Sequence, residues 1–432
     1  MAFAALALSV SMLSGCIPGG GIESLLYPPK LSEEQEEIYS ALTDSVGDNI
    51  SLQYPKGGSN RSPVVIWDID GDGTDEALAF YESADSDAES GIRINILDKQ
   101  DGIWRSVYDI AGTGTGIDRV IFAELGGSGR VSIIIGYSAA SGDKSFRTYF
   151  YSDGIAETGY SDSYSSIFVT DLDNDGFSDL AVIHPNNEYT GKQAYFSLVT
   201  DNGTDLWEVS TVRLNDKTSE FVNIASGYVG SVTPAVFIDG VSDGKLSTEI
   251  IYCINGTLRN PLYLGESEII KNTVRPTSYL STDIDLDGII EVPTLSYFPG
   301  YNDDSHEQFR ITNWNVLENY EITRKYSSYY NVQNGYCLLL PSRWEGVVTV
   351  KNDTVTGDIV FYKYRGSLLG STEELLRIAV VRDERLSDRL AAGYTLLKSR
   401  DNINYMYKLP DLTKEPLILT ATEIENNFCL MN

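Results

Sequence analysis

From residue 62 onward the chain is a succession of short apolar runs, each closed off by Gly, Asp, Asn or Ser. The runs are rich in Val, Ile, Phe and Tyr, as in "VVIWDI", "ALAFY", "VSIIIGY" and "LAVIH", and such residues fit a pleated, half-buried surface. Strands are therefore expected along most of the chain. Three segments depart from this and carry a helical spacing. "SEEQEEIYSALTDSV" opens on a Ser32 cap, places Ile38, Leu42 and Val46 on one face, and leads into a strand "ISLQYP" that is expected to close the fold by joining the last sheet. "DERLSDRLAAG" and "TATEIENNFCLM", the latter capped at Thr420, are the other two, and between them "YTLLKSRDNINYMYKL" reads as a hairpin turning at Asp401-Asn402.

The strand-like runs are grouped by a repeat. "DIDGDGTDE" at 68 to 76 recurs as "DLDNDGFSD" at 171 and "DIDLDGIIE" at 283, all obeying DxDxDGxx[DE]. The same nine-position frame fits "ELGGSGRVS" at 124, "ASGYVGSVT" at 225 and "PSRWEGVVT" at 341, which have lost most or all of the acids and keep the sixth-position glycine. Those glycines, Gly73, Gly129, Gly176, Gly230, Gly288 and Gly346, stand 56, 47, 54, 58 and 58 residues apart. The frames carry strand-like flanks, for instance "VIFAEL" and "VSIIIGY" or "YCLLLP" and "VVTVK", and two more short strands separate one frame from the next. Four strands per repeat without intervening helices is the pattern of a β-propeller blade.

The six frames resemble FG-GAP or VCBS repeats, the calcium-loop propeller blades of integrin α-subunits and many bacterial surface proteins. The resemblance covers about residues 62 to 356, with three of the six motifs complete. It implies an all-β fold dominated by a β-propeller with six recognisable blades, a seventh divergent blade being the competing count, plus an N-terminal helix and a small C-terminal α/β appendage. The expected boundaries are 32–47 for the helix, 48–382 for the propeller and 383–432 for the appendage. The whole chain is also similar to bacterial lipoproteins with VCBS-like repeats, a kinship that implies no activity, since one fold hosts many functions.

The acids have a physical reading of their own. Carboxylates at positions 1, 3 and 5 converge, the carbonyl at 7 adds an oxygen, Gly at 6 allows the sharp turn and the acid at 9 completes the shell. The candidate ligands are Asp68, Asp70, Asp72, the Thr74 carbonyl and Glu76; Asp171, Asp173, Asp175, the Phe177 carbonyl and Asp179; and Asp283, Asp285, Asp287, the Ile289 carbonyl and Glu291. Hard oxygen donors of this number suit calcium better than magnesium, so up to three structural Ca2+ ions are expected. A helical EF-hand shares the acid spacing but needs flanking helices, which "SPVVIW" and "EVPTLSYF" are not. An acidic turn without metal is the competing reading for any single loop.

Address and charge narrow the function. "MAFAALALSVSMLSGC" is an apolar run ending in Leu-Ser-Gly-Cys, which resembles the lipobox of bacterial lipoproteins, with residues 1–15 as the signal peptide, Cys16 as the lipidated residue and 16–31 as a tether. The expected location is the outer face of the bacterial cytoplasmic membrane or the cell surface, with membrane contact through the lipid anchor only. A net charge of −30 repels nucleic acid. The three cysteines beyond Cys16 are Cys253, Cys337 and Cys429, in apolar contexts, and a Cys253–Cys337 bridge is the one pairing considered. Of the two histidines, His184 and His306, neither sits in a metal-binding or nucleophile motif, and no catalytic constellation is found. Tyrosine clusters at 160–166 and 325–331 provide either contact surfaces or ordinary strand residues. The expected function is a calcium-stabilised module that binds an envelope or extracellular protein or glycan. The alternative is a hydrolase or lyase acting on polysaccharide with the same scaffold.

Overall fold

A computed structural model describes residues 31–83, 91–186, 191, 193–263, 273–305, 308–411 and 415–431, and across them six antiparallel sheets follow one another along the chain. Cys16, the signal peptide and His306 lie outside these residues. The first sheet holds β1 (Ile50–Leu52), β2 (Val64–Trp67), β3 (Glu76–Ser83), β4 (Ile92–Gln100) and β5 (Ile103–Ala111). The second is the meander β6 (Gly116–Glu124), β7 (Val131–Ser138), β8 (Lys144–Ser152), β9 (Ile155–Ser163). The third is β10 (Ser166–Thr170), β11 (Asp179–His184), β12 (Tyr195–Asp201), β13 (Leu206–Arg213), and the fourth β14 (Glu220–Val229), β15 (Thr233–Ser242), β16 (Lys245–Ile254), β17 (Thr257–Arg259). The fifth orders β18 (Val292–Tyr297), β19 (Arg310–Glu318), β20 (Glu321–Asn331) and β21 (Tyr336–Leu339). The sixth begins with β22 (Val348–Asn352), β23 (Ile359–Lys363) and β24 (Glu374–Arg382).

The apolar runs are continuous because their strands are covered on both faces. Residues of β7 point alternately to the first sheet, through Ile133 and Ile135, and to the third, through Ile134. In β11 Leu180 and Val182 face the second sheet while Ala181 and Ile183 face the fourth; in β15 Val236 and Ile238 face the third sheet while Ala235 and Phe237 face the fifth. The sheets thus stack in chain order, and the largest apolar cluster, around Tyr329, Tyr336, Leu338, Val350 and Phe361, lies between the fifth and sixth.

Helices cover the two ends of the stack. Helix α1 (Glu33–Val46) starts at Ser32 with a capping box to Gln35. It buries Ile38 and Leu42 on the outer face of the first sheet, against Ala77, Ala79, Tyr81 and Leu97. That placement corrects the expectation for "ISLQYP": β1 pairs with β3 of the first sheet, not with the last sheet, because α1 already lies on this face. At the far end Leu386, at the start of α2 (Leu386–Ala391), packs on Ala379, Val381 and Met406.

Two further features depart from the repeat. The sixth frame, "PSRWEGVVT", is no hairpin: β21 pairs with β20, whereas β22 begins the next sheet. Pro341 precedes a 3-10 turn at Ser342–Trp344, and the Trp344 side chain is buried with its indole N–H donating to the Leu417 carbonyl at 2.7 Å. The bulky anchor turns the chain from one sheet to the next. The C-terminal segment is shared between the last two sheets: β25 (Thr395–Arg400) and β26 (Ile403–Lys408) extend the sixth, and after α3 (Ala421–Asn427), capped at Thr420, β27 (Phe428–Leu430) adds to the fifth beside β21. That last pairing sets Cys337 opposite Cys429, while Cys253 lies in the fourth sheet, so the nearest thiol partner of Cys337 is not the one considered from sequence.

Candidate cation-binding turns

The three complete frames build one backbone shape from one set of internal hydrogen bonds. Position 6 donates its N–H to the position-1 carboxylate: Gly73 to Asp68 and Gly176 to Asp171 at 3.1 Å, Gly288 to Asp283 at 2.7 Å. Position 7 donates to the position-5 carboxylate: Thr74 to Asp72 at 2.7 Å, Phe177 to Asp175 at 2.8 Å, Ile289 to Asp287 at 2.9 Å. The glycines have φ of +91°, +91° and +87°, and an added Cβ on Gly73 or Gly176 would meet nothing within 4 Å. Backbone conformation, not space, therefore requires glycine there.

These bonds hold the acids together against their mutual repulsion. Carboxylate oxygens of Asp68, Asp70 and Glu76 lie within 4.8 Å of one another, as do those of Asp171, Asp173 and Asp175, and those of Asp283, Asp285 and Glu291. Each group could hold a metal ion. Asp72 is turned to the Thr74 N–H and hydroxyl, and Asp179 is not among the second group's converging acids.

The buried acids show what a cation would relieve. Burial is the main force pushing the Glu76 carboxyl up to about 7, with Asp70, Asp72 and Asp68 adding to it and the Ile69 N–H, 2.9 Å away, opposing it. Asp179 is likewise pushed up to about 7 by burial and by the neighbouring acids, against a hydrogen bond from Thr200. It is 3% exposed, and its Oδ2 has no hydrogen-bond partner; neither has Oδ1 of Asp173. Unmet buried carboxylate oxygens are costly. The second turn thus has the hard, negative, unsatisfied oxygens that a divalent cation takes. Asp179 is one methylene shorter than Glu76 and Glu291, whose Oε2 atoms each accept the N–H of the position-2 residue at 2.9 Å.

The third turn is answered differently. Lys325, from β20, brings its Nζ to 2.9 Å from Asp285 Oδ2, 2.7 Å from Asp287 Oδ2 and 2.9 Å from Glu291 Oε1. The Tyr326 hydroxyl donates to Asp285 at 2.8 Å. Burial pulls the lysine down, but its bonds to Asp287, Glu291 and Asp285 outweigh that and hold it well above its ordinary range. Burial raises the Glu291 carboxyl, while the Ile284 N–H and Lys325 work against the rise.

The acid-poor frame at 124–132 keeps the turn with only its position-1 acid: Gly129, at φ +73°, donates its N–H to Glu124 Oε1 at 3.1 Å, position 6 to position 1 as before. Turns of neighbouring sheets also meet. Leu125 bridges to Ser178, with Gly126 N–H on the Ser178 carbonyl at 2.8 Å, and Tyr228 bridges to Ile289, with its N–H on the Gly288 carbonyl at 2.9 Å. The acidic turns at 171–179 and 283–291 therefore sit where one sheet is tied to the next.

Sequence reading did not find Lys325 as a ligand of the acids. It heads the cluster "KYSSYYN", taken as a contact surface or strand residues, and only the pairing of β18, β19 and β20 carries it over the turn. The tyrosines there serve mostly inside the fold: Tyr329 is buried between sheets and Tyr326 bonds Asp285. In the other cluster Tyr164 is buried and donates to Asp118 at 2.6 Å. His184 is buried, stacks on Tyr195 with centroids 4.0 Å apart and bonds Ser197 Oγ at 2.8 Å, a packing role.

A cavity of about 540 Å³ opens between the fifth and sixth sheets, beside the third turn, where the chain leaves β21 for β22. Tyr297, Asn313, Arg324, Tyr326, Ser327 and Glu345 line it with Lys325 and the apolar Phe298 and Trp344. Arg324 and Glu345 pair across it at 2.8 Å. No helix among the described residues is long and apolar enough to cross a membrane.

No protein-family model matches the chain, and no curated protein does. Solved structures that align with it include rhamnogalacturonan lyase YesW, 13% identical with a TM-score of 0.32 over 74% of this chain and 76% of that one. The exotype rhamnogalacturonan lyase YesX is 11% identical with a TM-score of 0.30 over 73% and 72%, and Sqt1 of Saccharomyces cerevisiae 9% identical with a TM-score of 0.31 over 77% and 81%. At these scores the likenesses carry no argument about activity, and the chain's own turns and cleft must supply it.

Proposed function

We propose that this chain is an exported, non-enzymatic binding module in which six propeller-type blades are tied together by calcium in their acidic turns, and that it takes a glycan in the cleft between the fifth and sixth sheets. Lipidation at Cys16 would hold it at a membrane surface with the sheets facing the exterior. Calcium suits the turns because they offer several carboxylates in a small, adaptable loop.

The observation that carries the reading is the cleft lining. Tyr297 and Tyr326 present aromatic rings, their hydroxyls donated to Asp303 and Asp285, Asn313 and Ser327 line the cleft with an amide and a hydroxyl bonded to each other, and the volume of about 540 Å³ falls in the range of small-ligand sites. Sugar rings need this mixture of stacking and hydrogen bonding. A hydrolase or lyase would need two facing carboxyl groups or an acid and a base; the one carboxylate among the described residues that line the cleft, Glu345, is paired with Arg324.

The test is titration of the full chain with soluble fragments of bacterial envelope polysaccharide, followed by calorimetry and by product analysis. Saturable binding that drops at least tenfold in Asn313→Ala and Tyr297→Ala is expected. Binding untouched by both variants, capture of an envelope protein with no glycan affinity, or the appearance of cleaved products overturns it.

A further inference from the structure

We propose that the third acidic turn takes no metal ion because Lys325 is its resident cation, so that the chain carries two ions, in the turns at 68–76 and 171–179, and not three. This rests on the ion reading above and narrows it. The geometry is specific to one sheet. In the first, third and fifth sheets the pairs β4–β5, β12–β13 and β19–β20 each carry a one-residue β-bulge: the register steps from Ile96 opposite Tyr108 to Leu97 opposite Ser106, from Leu198 opposite Ser210 to Val199 opposite Glu208, and from Trp314 opposite Tyr326 to Asn315 opposite Arg324. The residue skipped at the bulge is Val107, Val209 and Lys325, respectively. A bulge re-aims its side chain, and only in the fifth sheet does that position hold a cation.

The donors and acceptors close on each other. An ammonium has three N–H groups, and Lys325 lies within hydrogen-bond distance of one oxygen from each of Asp285, Asp287 and Glu291. Glu291 is then fully committed, Oε2 to the Ile284 N–H and Oε1 to the lysine. Calcium would need oxygens at 2.3–2.6 Å around a centre that a positive charge already borders. Among the described residues the second turn has no such lysine, and two of its buried carboxylate oxygens, on Asp173 and Asp179, have no partner there. One turn is satisfied from within the chain and the other from outside. Because Lys325 and Tyr326 also line the cleft, the ligand site stays formed when free calcium is removed.

The count of ions decides it. Full-length protein stripped with chelator and titrated with calcium, with metal content measured in parallel, is expected to take up two ions per chain. Lys325→Val, which gives the fifth sheet the residue found at the other two bulges, and Lys325→Gln, which keeps most of the stem, are each expected to take up a third. The gain of one ion over the unaltered chain carries the inference; the count in the unaltered chain carries the ion reading. Three ions in the unaltered chain, or no gain in either folded variant, overturns the role of Lys325. An unaltered chain that binds none overturns the ion reading, and a gain in the variants then still reports on the lysine.

A second, independent observation assigns a redox site. Cys337 in β21 and Cys429 in β27 are direct cross-strand partners, with Cys429 Sγ 3.7 Å from the Cys337 carbonyl oxygen. Opposed residues of an antiparallel pair stand about 4.5–5.5 Å apart at Cα, within the span of a disulfide. Cys337 is fully buried and Cys429 partly exposed, so Cys429 is the point of entry. Its thiolate attacks a small disulfide oxidant and expels one of that molecule's sulfurs as a thiolate. Cys337 then gives up its proton and displaces the second sulfur, so that two protein thiols become one disulfide and the oxidant becomes two thiols. The bond locks the last strand onto the fifth sheet. Incubation of the folded chain with oxidised glutathione, followed by peptide mapping, is expected to yield a Cys337–Cys429 linked peptide and the loss of two hydrogens in intact mass. Persistence of both free thiols, a glutathione adduct that never resolves, or linkage to Cys253 overturns it.

Discussion

The turns at 171–179 and 283–291 share a nine-residue frame and a set of backbone bonds, yet they differ in what answers their negative charge. In the turn at 171–179 two buried carboxylate oxygens stand unmet among the described residues; in that at 283–291, Lys325 reaches three acids from another strand. The frame fixes the shape of the turn and gathers the acids. Which cation neutralises them is decided some forty residues later, at a bulge in β20 of the same sheet. A repeat can therefore keep its metal-ligand pattern in full after its need for a metal has gone.

The largest effect that tests this contrast is removal of the ions. A ligand present at a hundred times its Kd stabilises the folded state by about 2.7 kcal/mol, so two occupied turns contribute on the order of 5 kcal/mol. Urea unfolding with and without chelator is expected to show a difference of that size. Asp171→Asn should roughly halve the chelator-sensitive part, because it removes a ligand from the second turn. Asp283→Asn should leave the chelator-sensitive part unchanged, whatever it does to stability itself. If Asp283→Asn halves it as well, the two turns are alike and the contrast is wrong.

A carboxylate outside the turns shows what burial does when neither an ion nor a lysine arrives. Glu249, in β16, is 2% exposed and accepts hydrogen bonds from the Asn215 N–H at 3.1 Å and Asn260 Nδ2 at 2.7 Å. Burial pushes its carboxyl up to about 7, against both of those bonds. The raised value means that the folded protein favours the protonated acid, so its contribution to stability is full below the unfolded value near 4.5 and is lost as pH rises toward 7. The loss is on the order of 3 kcal/mol. Stability measured from pH 4.5 to 7 in chelator is expected to fall by that amount through Glu249, and Glu249→Gln should flatten this part of the curve. An unchanged slope in the variant would show that burial alone does not set the cost of an uncompensated acid here.

Much of this organisation can be read from the chain. Gly73, Gly176 and Gly288 announce the turns because a left-handed residue is needed at that place, and the paired apolar runs around them announce strands covered on both sides. Ser32 and Thr420 mark the helix starts through local capping chemistry. What cannot be read is whatever depends on distant pairing. The strand β1 lies on the first sheet because α1 already covers the outer face there, a tertiary outcome with no local sign. The sixth frame keeps its glycine but is pulled out of hairpin form by the burial of Trp344. Lys325 looks like any strand-surface lysine until the bulge directs it over the acids. The whole-sheet pattern is local and therefore legible; the neutralising partner is not.

The smallest expected effect concerns position 4 of the frame, where the third turn is the poorer of the two. Gly71, Asn174 and Leu286 all have positive φ, +76°, +60° and +62°. Glycine accepts that region freely and asparagine tolerates it, but a left-handed leucine is strained by about 1–2 kcal/mol. Leu286 is 89% exposed, so its side chain returns almost nothing through burial. Leu286→Gly removes the strain while adding freedom to the unfolded chain, which offsets part of the gain. The net expectation is stabilisation by about 1 kcal/mol, seen as a higher urea midpoint with an unchanged slope. Because the substitution leaves Lys325 and its three acids in place, calcium uptake should not change. Asn174→Ala, the matching alteration in the second turn, should move stability the opposite way, since alanine lacks the local hydrogen bonding that makes the left-handed region accessible to asparagine. If both variants move in the same direction, the two turns do not share the backbone shape on which the exchange of ion for lysine depends.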